Sequence, residues 1–251
     1  MGCYPADTRG NPRAPFINSY RTFSFPSYYD PRYMNFSDLQ TINDDRVQYA
    51  WQVPWHEHKN MEIFGYVVSG SSHHRDSLGN DAEVPAGAVQ RMSAGRGISH
   101  TEGNSDFSGV ARYLQLWIRP NQKNVDPHWS WHQFTREDKL NKFCNITEKL
   151  PIYADARLLA GIFTENYEYN LDSNRHYYLY VVTGTARVNG LELVEVQAAA
   201  AVAVGVAQQA CDDVGGEAKR LQRRREALDG DDAGLVGLLC LWAGGGWWCV
   251  V

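Results

Sequence analysis

The sequence lacks the features that mark a membrane, disulfide-rich or nucleic-acid-binding protein. Its five cysteines are widely scattered over 251 residues and never form a Cys-x-x-Cys pair, which indicates neither a disulfide framework nor a zinc knuckle. No apolar run approaches a membrane span, and the N-terminus has no apolar signal region. The net charge of −5 provides no basic excess. We therefore expect a cytoplasmic monomer, with the nucleus as a second location, that contacts neither membrane nor nucleic acid directly.

Short β-type runs separated by turn residues dominate the chain from residue 16 to about 118. The runs include RTFSF, EIFGYVVSG, SSHHR and ARYLQLWI, and the segments DSLGN, VPAG and SAGRG lie between them. Turns rich in glycine, proline and asparagine between such runs are typical of β-strands. Many short strands at close spacing predict a β-sandwich or a small barrel.

A second β-rich segment follows a polar, proline-containing stretch at residues 119–150. The segment VVTGTARVNG has the same layout as YVVSGSSHHRDSLGN: an apolar strand, a glycine, a second strand and a turn. This weak internal repeat predicts two similar barrels in tandem.

The C-terminal part differs in composition from the rest of the chain. Residues 191–251 contain no Ser, Thr, Pro, Tyr, Phe, Ile, His, Asn or Met and are rich in Ala, Val, Gly and Leu. One interpretation is a Gly/Ala-rich helix, with EAKRLQRRREAL as its charged middle, followed by a poorly ordered end. The other interpretation is a segment translated out of frame from G-rich coding sequence.

Two histidine-containing pairs have the spacing of ligands on a β-strand. Side chains at i and i+2 of a strand project to the same face, so His56 and His58 would point in one direction. The same spacing recurs at His100 and Glu102. If the two pairs lie on facing strands, they supply three imidazoles and one carboxylate.

This set of side chains suits a mid-row transition metal, because imidazole with carboxylate fits Fe, Mn, Co, Ni, Cu or Zn better than Ca or Mg. Four protein ligands on an octahedral ion leave two adjacent positions open. No cysteine lies near either pair, whereas structural zinc sites usually use thiolates. The pattern therefore predicts a reactive metal site, against the alternative of surface or hydrogen-bonded strand histidines.

The residues around these pairs resemble the signature of the pirin family in the cupin superfamily. The segments are HEHKNMEIFGYVVSG, HHRDSLGN and VPAGAVQRMSAGRGISHTE, and the upstream segment RTFSFPSYYDPRYMNFSDLQTINDDRV is also similar to pirin-like proteins. The chain departs from the family pattern at Glu57, where relatives have proline, and at residues 86–88, where relatives have Pro-Gly-Asp. Neither departure removes a ligand.

The resemblance implies an all-β bicupin, that is, two tandem antiparallel β-barrels of the jelly-roll type. It implies a metal-containing barrel at 16–135 and part of a metal-free barrel at 136–193. We expect a flexible N-terminus at 1–15 and, from the composition, an atypical Gly/Ala-rich tail at 194–251. It assigns the metal ligands to His56, His58, His100 and Glu102.

The resemblance also implies two functions of different classes. The first is a quercetin 2,3-dioxygenase that opens flavonols with O₂, in which Glu102 would accept the proton of the substrate hydroxyl. The second is a non-enzymatic, redox-sensing metal protein that binds a transcription factor or another protein. The expected cofactor is one divalent ion, first iron(II), with Ni, Co, Cu, Mn or Zn as alternatives.

Other polar side chains are weaker candidates. By the same resemblance Glu62 is expected to support the ligands without contacting the ion. Of His73 and His74, one is expected to face the cavity and the other water. His128 and His132 have a helical ligand spacing but lie in a segment that reads as loop or strand, and His176 is the only histidine of the C-terminal half.

Overall fold

The regular structure of the described residues is mostly antiparallel β-sheet. The computed structural model describes residues 2–4, 9–104, 109–172, 174–189, 191–194, 198–202 and 235–243. Within these ranges the two helices are α1 (Arg136–Lys139) and α2 (Ile146–Lys149), and no helix is long and apolar enough to cross a membrane. The prediction of an all-β chain is confirmed.

The N-terminal half forms two sheets. Strand β1 (Gly2–Tyr4) belongs to the larger C-terminal sheet. The strands of the N-terminal sheets are β2 (Arg13–Ala14), β3 (Ile17–Arg21), β4 (Leu39–Val47), β5 (Trp51–His58), β6 (Glu62–Ser69), β7 (Ser71–Asp76), β8 (Asp81–Pro85), β9 (Ala88–Ser93), β10 (Ile98–Asn104), β11 (Ala111–Ile118) and β12 (His128–Gln133). A seven-stranded sheet has the order β12-β9-β6-β11-β4-β3-β2, and a four-stranded sheet has the order β5-β10-β7-β8. These two sheets enclose the N-terminal barrel.

The C-terminal half repeats the two-sheet plan on a smaller scale. Its strands are β13 (Cys144–Asn145), β14 (Ala156–Phe163), β15 (Arg175–Thr183), β16 (Thr185–Val188), β17 (Leu191–Val194), β18 (Ala198–Val202) and β19 (Leu235–Ala243). The larger sheet has the order β1-β18-β15-β19-β14-β13, and β16 pairs with β17.

Strands also occur in the N-terminal segment 1–15 and in the Gly/Ala-rich tail 194–251. Strand β1 pairs with β18 through Gly2 and Ala200, and β19 lies between β14 and β15. Because pairing uses backbone groups that every non-proline residue carries, a segment can join a sheet without a distinctive side-chain pattern. Most of the tail, including EAKRLQRRREAL, lies outside the described residues.

One predicted strand is displaced. RTFSF was expected to be a strand, but β3 ends at Arg21. Phe25 and Tyr28 exchange backbone hydrogen bonds of 3.0 and 2.8 Å, which closes a turn around Pro26 and Ser27. Ser27 has a positive φ of 67°, and proline at the second turn position favours this reversal.

The two halves share a buried core because successive side chains of β11 face opposite directions. Tyr113 packs with Val67 inside the N-terminal barrel. Its neighbour Leu114 belongs to a larger cluster that includes Tyr178 and Tyr180 of β15. Burial of each large apolar side chain contributes about 1.5–3 kcal/mol, so this cluster joins the two barrels.

Candidate metal centre

A β-bulge shapes the strand that contains the first histidine pair. His56 lies opposite His100 in the β5–β10 pairing, and the register then shifts. Pro54 and Trp55 consequently oppose the single residue Thr101. A bulge tolerates proline and redirects the chain next to a site. It leaves the His-x-His pair on the barrel face that His100 occupies.

The structure brings three of the four predicted ligands together. The ring centroids lie 4.4 Å apart for His56 and His100, 4.9 Å for His56 and His58, and 5.0 Å for His58 and His100. Their ligand nitrogens all lie within 4.8 Å of one another, and among the described residues this is the one group of three metal-binding side chains. His58 and His100 are buried, whereas His56 is partly exposed.

The nitrogens of this group are free to bind an ion. His56 Nδ1 lies 2.8 Å from the Pro54 carbonyl, so Nδ1 carries the hydrogen and Nε2 remains open. The Nε2 atoms of His58 and His100 are buried and have no hydrogen-bond partner in the described part of the chain. Buried nitrogens without a partner are rare and costly, and a metal ion would satisfy them.

Burial keeps two of these imidazoles neutral. It lowers the pKa of His58 to about 4, with the charge of His56 as a second cause. Burial lowers the pKa of His100 to about 2, assisted by the neighbouring histidines. Since a histidine binds metal only as neutral imidazole, both side chains are ready to act as ligands at neutral pH.

Glu102 lines the same cavity as His100 but lies outside the group of three. Its carboxylate accepts a hydrogen bond from Gln115 Nε2. Trp117 Nε1 donates to Gln115 Oε1 at 3.1 Å, which orients the Gln115 amide. Burial raises the pKa of Glu102, while the charge of His56 and the bond from Gln115 oppose this rise.

The interior space beside the site is small. A cavity of about 10 Å³ is lined by residues that include His74, His100, Glu102, Tyr113 and Trp129. A volume of this size admits about one water-sized molecule.

Sequence reasoning missed the hydrogen-bond partners behind the ligands. His74 and Asp76 lie on β7 behind His100, and Gln115 lies on β11 behind Glu102. The i, i+2 spacing of His74 and Asp76 within HRDSLGN was the available signal. Gln115 gave none, because its partner is 13 residues away.

The expectation that Glu62 supports the ligands is wrong. Ser93 Oγ donates to Glu62 Oε2 at 2.6 Å, and the backbone N–H of Tyr153 donates to the same carboxyl group. Glu62 thus contacts the segment that leads into the C-terminal half. Burial raises its pKa to about 7.

The remaining histidines are not members of the group of three. The prediction for the adjacent pair is confirmed: His74 is 1% exposed, and His73 bonds Gln52 and Asp81 at 3.0 and 2.8 Å on the other face of β7. His128 and His132 lie on β12, an edge strand that pairs with β9. They are absent from the described metal-binding group.

Comparison with known proteins agrees with this architecture. Residues 6–118 match the Pirin family model, and residues 146–209 match the model of the quercetinase C-terminal cupin domain. Quercetin 2,3-dioxygenase of Escherichia coli K12 is 34% identical over 192 residues, which cover 74% of this chain and 83% of the relative. A pirin-like protein of Caulobacter vibrioides is 37% identical over 198 residues, covering 75% and 85%.

Solved structures show the same fold. The bacterial pirin YhhW of Escherichia coli, solved in complex with nickel(II), superposes with a TM-score of 0.76 at 26% identity and covers 96% of this chain and 97% of its own. A quercetin 2,3-dioxygenase of Acinetobacter baumannii shares the fold, with a TM-score of 0.63, 19% identity, and coverage of 93% and 82%. The relatives imply a divalent metal, for which the histidine group provides suitable ligands. The chain therefore belongs to the pirin family and has the bicupin fold.

Proposed function

We propose that the protein is a metal-dependent dioxygenase that opens flavonols such as quercetin with O₂. The observation that carries the proposal is the convergence of three imidazole nitrogens within 4.8 Å, two of them buried and unpartnered among the described residues. Relatives named quercetin 2,3-dioxygenase support the same activity.

We assign His56, His58, His100 and Glu102 as ligands of one divalent ion, in the region 16–135. Imidazole with carboxylate suits iron(II), our first choice, and also Ni, Co, Cu, Mn and Zn. The nickel(II) complex of the E. coli pirin shows that a related protein accepts nickel. The metal therefore has to be tested ion by ion.

The side chains have separate roles in this proposal. A bound divalent ion would act as a Lewis acid that favours ionisation of the flavonol 3-hydroxyl and holds the reactants together. Glu102 accepts the hydroxyl proton at Oε2, since Oε1 is bonded to Gln115. His58 and His100 hold the ion through their Nε2 atoms, which have no other partner among the described residues.

The substrate enters from the side of His56. The interior cavity of about 10 Å³ is lined by His100 and Glu102, and drug-sized ligands need pockets of about 300–1,000 Å³. The flavonol rings therefore lie outside the barrel, with one hydroxyl directed inward. The interior has room for about one small molecule, such as O₂ or water.

The activity test uses the full chain loaded separately with iron(II), nickel(II), cobalt(II) or copper(II). Quercetin is added in air, and its visible absorbance and the release of carbon monoxide are followed. We expect turnover with at least one ion and none with His58→Ala. If quercetin persists with every ion in protein shown by metal analysis to be loaded, the dioxygenase proposal fails.

The small cavity also favours a second candidate function. In that case the protein would be a metal-binding, redox-sensing partner of a transcription factor or another protein, because the interior has no room for a large substrate. This function predicts stoichiometric metal without quercetin loss. It also predicts that a change of metal oxidation state alters binding to the partner.

A further inference from the structure

A chain of hydrogen bonds leads from the surface turn after β7 to His100. Asp76 Oδ2 lies 2.9 Å from His74 Nε2, and His74 Nδ1 lies 3.4 Å from His100 Nδ1. The three side chains are buried, with exposures of 6%, 1% and 2%. Their hydrogen bonds are therefore shielded from competing water.

These two hydrogen bonds have one consistent arrangement of hydrogens if His100 binds the ion through Nε2. His100 Nδ1 then carries hydrogen and donates to His74 Nδ1, which must accept. His74 in turn carries hydrogen on Nε2 and donates it to Asp76. A carboxylate is an acceptor only. Asp76 therefore sets which atom donates and which accepts in both hydrogen bonds.

Asp76 is itself held firmly. Its Oδ1 accepts the backbone N–H groups of Leu78 and Asn80 at 2.9 and 3.1 Å. Asn80 Nδ2 donates to Oδ2 at 2.8 Å. The turn DSLGN therefore fixes the carboxylate, because each of these donors points at an acceptor oxygen.

The ring of His74 is held as well. It stacks on Trp129 with a centroid distance of 4.3 Å and an interplanar angle of 3°. Trp129 Nε1 donates to Gln90 Oε1 at 2.9 Å. Strand β12 thus supplies a flat surface that prevents rotation of the imidazole away from His100.

We propose that Asp76 and His74 are positioning residues that hold His100 as the Nδ1–H tautomer, with its Nε2 lone pair directed at the metal site. This inference rests on the proposed metal site and adds which residues hold the orientation and tautomer of one of its ligands. Partners behind a ligating histidine fix its tautomer and orientation, and their loss typically weakens metal binding about 10–100-fold.

The decisive variant is Asp76→Asn, which keeps the shape of the side chain but can reverse the direction of the hydrogen bonds. Asn Oδ1 still accepts from the turn, while Asn Nδ2 donates to His74 Nε2 and drives His100 toward the Nε2–H tautomer. We expect a nickel(II) dissociation constant about 10–100-fold higher than that of the wild type. Asp81→Asn is the matched control, because it makes the same change in a carboxylate that bonds His73 on the other face of β7; its affinity should change less than threefold.

A second pair of variants tests His74, which lies between Asp76 and His100 in this series of hydrogen bonds. His74→Gln retains an acceptor for His100 and a donor for Asp76, whereas His74→Phe retains only the ring that stacks on Trp129. We expect His74→Gln to recover affinity relative to His74→Phe. Thermal unfolding of each variant shows whether the fold is retained.

The tautomer is read directly from imidazole ¹⁵N chemical shifts of the metal-free protein. The inference predicts Nδ1–H for His100 in the wild type and Nε2–H in Asp76→Asn. Unchanged shifts together with unchanged nickel affinity in Asp76→Asn, or equal affinity of the two His74 variants, would overturn it. If the wild type binds no metal, the proposed site fails, while the ¹⁵N shifts still show in which direction the hydrogen bonds between Asp76, His74 and His100 run.

Discussion

The side-chain amide of Gln115 donates a hydrogen bond to the carboxylate of Glu102 inside the N-terminal barrel. The amide has a defined orientation, since its oxygen accepts from Trp117. Both Glu102 and Gln115 are buried. A hydrogen bond to a charged group contributes about 1.5–3 kcal/mol, so this contact favours the ionised carboxylate that a metal ligand requires.

Gln115→Met should therefore weaken metal binding. Methionine fills a similar volume but cannot donate to Glu102, and we expect the dissociation constant for nickel(II) to rise about 10-fold, in line with the loss of one charged hydrogen bond. Competition with a chelator measures the change. Gln133→Met is the control, because the exposed Gln133 donates to the Ala86 carbonyl and not to a proposed ligand. Equal affinities of the two variants would contradict this role of Gln115.

The buried ion pair of Arg112 on β11 and Asp44 on β4 should be important for stability. Arg112 makes two hydrogen bonds to Asp44, of 2.9 and 2.6 Å, and a third to the Val182 carbonyl at 2.8 Å. Asp44 is 0% exposed. Removal of one partner from a buried pair costs about 3–5 kcal/mol, because the other charge remains buried.

We accordingly expect Arg112→Met to lower the free energy of unfolding by about 3 kcal/mol in urea titrations. The control is Arg32→Met, since Arg32 pairs with Asp30 at the surface and its side chain is 72% exposed; that change should cost much less, because exposed ion pairs contribute little to stability. A loss as small as that of the control would show that Arg46, 3.4 Å from Asp44, suffices alone.

Local spacing was enough to predict the histidine group, whereas its surroundings required the fold. Alternation along a strand places His56 and His58 on one face wherever the strand lies. The bulge at Pro54 and Trp55 depends on the pairing partner β10, which the sequence of β5 does not specify. The partners of the proposed ligands likewise come from other strands.

Strand β4 shows a second limit of sequence reasoning. Its centre is Asn43, Asp44 and Asp45, a composition typical of turns, yet all three residues are buried. Asp44 is accepted there because Arg112 on the neighbouring strand β11 pairs with it. Such long-range compensation cannot be recognised from the polar run itself.

Asp45 should make stability depend on pH. Its Oδ1 has no hydrogen-bond partner within the described residues, and burial raises its pKa to about 7, partly offset by a bond from Ser19. Between about pH 4 and 7 the folded protein therefore keeps a proton that the unfolded chain loses, so stability falls as the pH rises. One pKa unit corresponds to about 1.4 kcal/mol, which gives a loss of up to about 4 kcal/mol.

Asp45→Asn should remove this part of the pH dependence and make the protein more stable than the wild type at pH 8. Urea unfolding at pH 5, 6, 7 and 8 measures how the free energy of unfolding changes with pH in the wild type and in Asp45→Asn. Glu165→Gln serves as the control, since Glu165 is exposed and its replacement should leave the slope unchanged. Parallel curves for the wild type and Asp45→Asn would show that Asp45 is ionised in the folded protein.

Gly103 controls how closely β5 and β10 approach each other. A Cβ at this position would contact the Trp51 carbonyl oxygen and lie 2.5 Å from Gln52 Cα, both backbone atoms of β5. Gly103→Ala should push β5 away from β10 and so separate His56 from His100, which these strands hold opposite each other. We expect a loss of about 1–3 kcal/mol in stability, as for other overpacked sites, and weaker nickel(II) binding measured in the same preparation. Gly109→Ala is the matched control, because no atom of the described residues lies within 4 Å of its added Cβ. If Gly103→Ala loses stability but keeps the wild-type metal affinity, the spacing of β5 and β10 does not determine the geometry of the histidine group.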